Sequence, residues 1–167
     1  LVLVGSGYGS DAGMTPGAGW TQLTSQTATT PFSATGRHEV WVRDTTVQAG
    51  QPGSQTVTLA QSESDEIHVV LIVVGDADPA DLLDGTIAVV TSAGTNSNVI
   101  NAASTTTTTS NALVIRSYMQ WSGGSGADWD LADQTEQSDV GSWDRHAIGT
   151  EIQAAAGTVT ARQGQTF

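Results

Sequence analysis

The chain contains no cysteine and no lysine, only four prolines, and just two tyrosines and two phenylalanines in 167 residues. Without cysteine there is no disulfide framework, no thiolate metal site and no thiol nucleophile. Lysine is ordinarily among the commonest residues. Here all five basic residues are arginine: Arg37, Arg43, Arg116, Arg145 and Arg162. A GC-rich genome accounts for that, and so does a high-salt setting in which screening relieves self-repulsion. Against 17 acidic residues the arginines leave a net charge of −12. Such a surface repels phosphate backbones, which argues against nucleic acid as a partner. No apolar run approaches the roughly 18 residues that a membrane-spanning helix needs. No stretch has the basic, apolar and small-residue zones of a signal peptide.

What is present is Gly, Ser, Thr, Asn and Asp in abundance, punctuated by short apolar runs. They recur about every 8 to 15 residues, the pattern of an all-β sandwich rather than a βαβ protein. The longest run, Ile67–Val74 (IHVVLIVV), is mostly β-branched and bounded by acidic residues and Gly75. It reads as the innermost strand, buried on both faces. Further strands are expected at Leu1–Val4, Trp20–Thr24, His38–Asp44, Ser54–Leu59, Thr86–Thr91 and Ala112–Trp121. Shorter ones are expected at Asp128–Leu131, His146–Ile152 and Gly157–Arg162. In HEVWVRD, alternation puts Val40 and Val42 on one face and Glu39, Trp41 and Arg43 on the other.

Between the strands, Gly5–Gly19, Ser25–Gly36, Gln48–Gly53 and Ser122–Gly126 read as loops or turns. The Asn/Ser/Thr tract Ala93–Asn111 has strand propensity but no apolar face, so it belongs on the surface or at an edge. A short helix is expected only at Asp78–Leu83 or Leu131–Gln137. The chain also echoes itself. LVLVGSGYGS resembles LVIRSYMQWSGG, Arg37-His38 matches Arg145-His146, and Thr56–Thr58 matches Thr158–Thr160. The expectation is one antiparallel, two-sheet domain over residues 1–167, jelly-roll-like, with pseudo-halves at about 1–92 and 112–167.

The order of the pieces resembles a β-sandwich domain of tailed-virus structural proteins, of the capsid-decoration or tail-associated type. Pro16, Trp20, Gly53, Ser54, Gly75, Asp76, Asp84, Ala112, Leu113 and Val114 carry the match. The resemblance implies a non-enzymatic virion protein, a homo-oligomer or a subunit bound to a viral shell or tail protein, located on the virion or outside the cell. It carries over no catalytic residue and no cofactor. It also leads one to expect a further apolar strand after Gly164–Phe167. Either that strand lies beyond this sequence, or a neighbouring chain supplies one against Leu1–Val4 or Gly157–Arg162. Two other readings stand beside this one: a filament or adhesion subunit assembling by strand pairing, and a glycan-binding module.

Candidate sites follow from residue chemistry. Asp76, Asp78, Asp81 and Asp84 could offer oxygens to Ca²⁺, as could Asp128, Asp130 and Asp133. Both sets lack the EF-hand order, and turns or caps explain them more simply, so no metal is expected. His38, His68 and His146 have no zinc spacing. No G-x-S-x-G elbow marks a hydrolase. Trp41, Trp129 and Trp143 sit on polar or acidic stretches and read as contact residues, while Trp20 reads as core. Arg43 and Arg145 are expected to pair at the same contacts, where a planar bidentate donor is useful.

Overall fold

Valine, isoleucine and threonine dominate the runs that alternate, and residues branched at Cβ fit a pleated surface better than a helix. The computed structural model describes residues 1–8, 14–29, 35–43, 57–59, 67–75, 78, 83–90, 99–121, 129–141 and 144–166. Among them every regular element is a strand, and every strand pairing is antiparallel. The fold is all-β, and the chain divides into two units, Leu1–Leu82 and Leu83–Phe167.

The first unit holds β1 (Val2–Tyr8), β2 (Met14–Pro16), β3 (Thr21–Thr29), β4 (Thr35–Val42), β5 (Val57–Leu59) and β6 (Ile67–Ile72). Its main sheet runs β3-β4-β1-β6, and β2 pairs with β5. Strand β1 is central. Leu3 faces Trp41 on one side and Leu71 on the other, while Val4 faces Val40 and Val70. Leu3 and Val4 point to opposite faces, yet each is only 1% exposed. Burying two such side chains stabilises the sheet by about 2 kcal/mol each. Met14 lies directly over Gly5, where a Cβ would collide with the thioether. That close approach is why glycine stands in the middle of a strand rather than in the expected loop.

The second unit holds β7 (Val99–Ala102), β8 (Thr105–Thr107), β9 (Ala112–Trp121), β10 (Trp129–Asp130), β11 (Thr135–Gly141), β12 (Asp144–Gln153), β13 (Gly157–Val159) and β14 (Arg162–Thr166). Three sheets form: β11-β12-β9, β10-β14-β7 and β13-β8. Strand β12 is central, with Ala147 and Ile148 on opposite faces and both fully enclosed. Tyr118, Leu131 and Ala147 form a cluster against which Ile100 and Ala102 pack. Thr166 Oγ1 donates to Gln120 Oε1 at 3.0 Å, so the β14 sheet and the β12 sheet are tied by polar as well as apolar contact.

The two units share a strand order. In each, a first strand (β1, β9) flanks the third of a set (β4, β12), whose other neighbour is the second (β3, β11). The second strand of each set also carries a register shift, between Gln22 and Thr24 and between Glu136 and Ser138. These shifts fall opposite Val40–Trp41 and Ile148–Gly149.

Several sequence expectations need correction. Ile67–Val74 is not innermost: β6 pairs with β1 alone among the described residues. Val69, Leu71 and Val73 are 37%, 42% and 73% exposed. A β-branched apolar run secures extended backbone, but its place in a sheet depends on which strands find it. Thr86–Val90 joins no ladder. Strand β3 runs on through Thr29 into the expected loop, because its hydroxyl and amide side chains pair across to β4. Leu131–Gln134 is a turn, closed by Gln134 N to Leu131 O at 3.0 Å with Asp133 at φ 61°, and β11 follows where a helix was an option. Leu1–Val4 is no open edge, since β1 is paired on both sides. Gly157–Val159 pairs with β8, and β14 is central in its own sheet. The Thr-rich tract supplies β7 and β8, with Thr106 exposed and Thr107 buried. The Gln48–Gly53 turn, the Ser122–Gly126 turn, residues 79–82 of the other helix option and the side chains of Val57 and Leu59 lie outside the described residues.

Gly85 is a point of no tolerance. Its φ is +98°, and a Cβ would collide with the Thr106 carbonyl oxygen. Gly85→Ala should lower stability by about 2 kcal/mol or more, combining left-handed strain with backbone overlap. Gly75→Ala, where a Cβ meets nothing within 4 Å, serves as the control. Thermal unfolding of the two variants side by side checks this.

Candidate functional site

A buried carboxylate organises the first unit. Glu39 is 2% exposed, and every neighbour that reaches it is a donor. Oε2 accepts from the Met14 main-chain N at 2.6 Å. Oε1 accepts from Gln22 Nε2 at 3.0 Å and Ser25 Oγ at 3.2 Å, and lies 2.9 Å from Arg37 Nε. Strands β2, β3 and β4 are therefore locked to one charge. The alternation expected for HEVWVRD is present, but its acidic face points inward, because β2 covers it. Trp41 shares that face, is half-buried, and has its Nε1 enclosed with no acceptor among the described residues.

On the neighbouring register position, His38 lies opposite Ser6 of β1, and His68 of β6 lies opposite the same residue. Burial lowers the His38 pKa to about 4, against the opposing pull of Glu39. The ring is thus neutral at physiological pH.

The second unit has a mixed-charge cluster. Arg116, whose side chain is 5% exposed, donates from Nη2 to Glu151 Oε1 at 2.7 Å and to the Thr160 carbonyl at 3.0 Å. Arg162 donates from Nε and Nη2 to Glu151 Oε2 at 3.1 and 2.9 Å, and from Nη1 to Asp133 at 3.2 Å. Burial alone would raise the Glu151 pKa. The bonds and charges of Arg116 and Arg162 outweigh it and hold the carboxyl below its ordinary value. Tyr118, bonded to Gln134, is raised by burial. This cluster joins β9, β12 and β14 and leaves Glu151 with its oxygens occupied.

Ser117 Oγ lies 2.7 Å from His146 Nε2, a spacing that suits a nucleophile and its base. The imidazole is 0% exposed, however. The contact links β9 and β12, with Ser117 half-buried.

The aspartates are dispersed. Asp84 accepts from the main-chain N and Oγ1 of both Thr108 and Thr109, which engages its two oxygens. Those bonds hold its carboxyl well below the usual range. Asp78 and Asp130 are exposed, and Asp133 pairs with Arg162. Asp76, Asp81 and Asp128 lie outside the described residues. Among the described residues no three metal-ligating side chains gather.

Of the expected contact residues, Arg43 is partly buried beside Gly19, and Arg145 is only 8% exposed. Trp143 and the Trp129 side chain lie outside the described ones. The apolar surface that the structure does present is elsewhere. Among the described residues β6 pairs with β1 alone, and Val69 and Leu71 of β6 and the adjoining Val73 are exposed, as are Val89, Val90 and Ile152. Sequence reasoning missed it by reading hydrophobicity as depth. No protein-family model, curated protein or solved structure matches the chain.

Two consequences can be measured. Glu39→Gln keeps the shape but turns one acceptor into a donor facing other donors. It should cost about 2–4 kcal/mol in urea unfolding. For His38, the folded pKa of about 4 lies below the ordinary 6.5. Between those values the unfolded chain binds the proton more readily. Stability is therefore complete above pH 6.5 and falls by roughly 2–3 kcal/mol as pH drops towards 4. His38→Gln should flatten that slope in denaturation curves taken across the window.

Proposed function

We propose that this chain is a non-enzymatic structural protein of a tailed-virus particle. It decorates or cements a capsid, or forms part of a tail, through its sheet edges and loops. The chain is a jelly-roll-like antiparallel β-sandwich whose two halves arose by duplication of one set of strands. The shared strand order and matching register shifts support that origin. The partners are copies of itself, a viral shell protein or a tail protein, and the protein works on the virion or outside the cell.

One observation supports the assembly reading: among the described residues β6 pairs with β1 alone, and Val69, Leu71 and the adjoining Val73 are exposed. Soluble proteins normally guard an edge with charges, proline or a bulge, because open edges template pairing. The acidic surface keeps the assembled particle soluble.

Sedimentation velocity over a wide concentration range, with electron microscopy of the associated fraction, tests this. Ordered oligomers, or binding to shells or tails, are expected. A strict monomer that binds neither would sink the reading.

A further inference from the structure

We propose that Ser117 is an acylation site: its hydroxyl takes an apolar acyl chain from a thioester donor and keeps it as an ester. Three observations on one face of the β11-β12-β9 sheet point there. First, Ser117 Oγ lies 2.7 Å from His146 Nε2. With the ring proton on Nδ1, Nε2 accepts from that hydroxyl, the arrangement in which a base activates a serine. Second, the serine is within reach of solvent: it is half-buried, as are Ile115 and Met119 on either side of it along the same face of β9. Third, that face continues as an apolar strip. The register sets His146 opposite Met119, Ile148 opposite Ser117 and Ile152 opposite Leu113, so all six side chains share it. Leu113 is 38% exposed and Ile152 61%. From Ser117 to Leu113 the strand advances roughly 13 Å. An acyl chain joined at Ser117 can lie along that length and shield Ile115, Leu113 and Ile152 from water.

The transfer balances. Oγ bonds to the acyl carbon as its proton passes to His146 Nε2. The carbon–sulfur bond breaks, and the departing thiolate takes that proton and leaves as a thiol. Hydrolysis of the ester needs water beside the same nitrogen. The ring is 0% exposed, so the ester outlasts its formation and the chain is modified once, without turnover. The site stands apart from the assembly reading, and neither depends on the other.

Two absences make the test clean. No lysine competes for the acyl group, and no cysteine obscures the thiol that is released. The full chain is incubated with the decanoyl or the acetyl thioester of a small thiol, and thiol release and intact mass are followed together. One decanoyl group per chain is expected, on the tryptic peptide that begins at Ser117, after which release should stop. Ser117→Ala should abolish the transfer, and His146→Gln should slow it about 100-fold. Because that ring is buried, a variant at an exposed position tests the strip separately. Ile152→Ser should slow decanoyl transfer about fivefold and leave acetyl transfer unchanged. Equal labelling of Ser117→Ala, labelling of another residue, thiol release continuing beyond one equivalent, or no mass gain in the wild-type chain would each overturn the proposal.

Discussion

Both units depend on one constraint: a strand buried on two faces must bring polar groups inside with it and satisfy them there. Strands β1 and β12 occupy that position. Around them, buried polar side chains are as numerous as buried apolar ones among the described residues. A core of that composition cannot rest on hydrophobic area alone, because each unmatched buried polar atom costs about 1–3 kcal/mol. Glu39 with its four donors and Glu151 between two arginines are the solutions reached. They set the alignment of strands more tightly than apolar contacts would, since a hydrogen bond has direction.

The same constraint separates inside from outside in a way that bears on function. Arg116 and the Ser117–His146 pair hold strands together. Among the described residues, what reaches solvent includes acidic residues, threonines and apolar side chains on several segments, Leu71, Val73, Val90 and Ile152 among them.

The units repeat an arrangement with different side chains. Arg37-His38 and Arg145-His146 fall on the central-sheet strands β4 and β12, each followed by a register shift in the neighbouring strand. A bulge increases twist locally and re-aims the residues beyond it. In the second unit the bulged residue Gln137 uses this freedom to bond Thr150. The conformation recurs although the residues filling it do not.

Some of this could be read directly from the chain. The strands Ala112–Trp121 and His38–Val42 were legible because alternation has a period that only extended backbone satisfies. So was the all-β class, from β-branched runs separated by glycine and hydroxyl residues. The echo between Arg37-His38 and Arg145-His146 was visible as well. Neighbourhood was not. Nothing local told Glu39 that β2 would cover it, told Asp84 that two threonines more than twenty residues away would take its oxygens, or left Val69 and Leu71 exposed. Local sequence determines backbone conformation because steric preference acts within a few residues. Burial, partner and sheet position belong to the tertiary structure alone, because they depend on which distant strand arrives alongside.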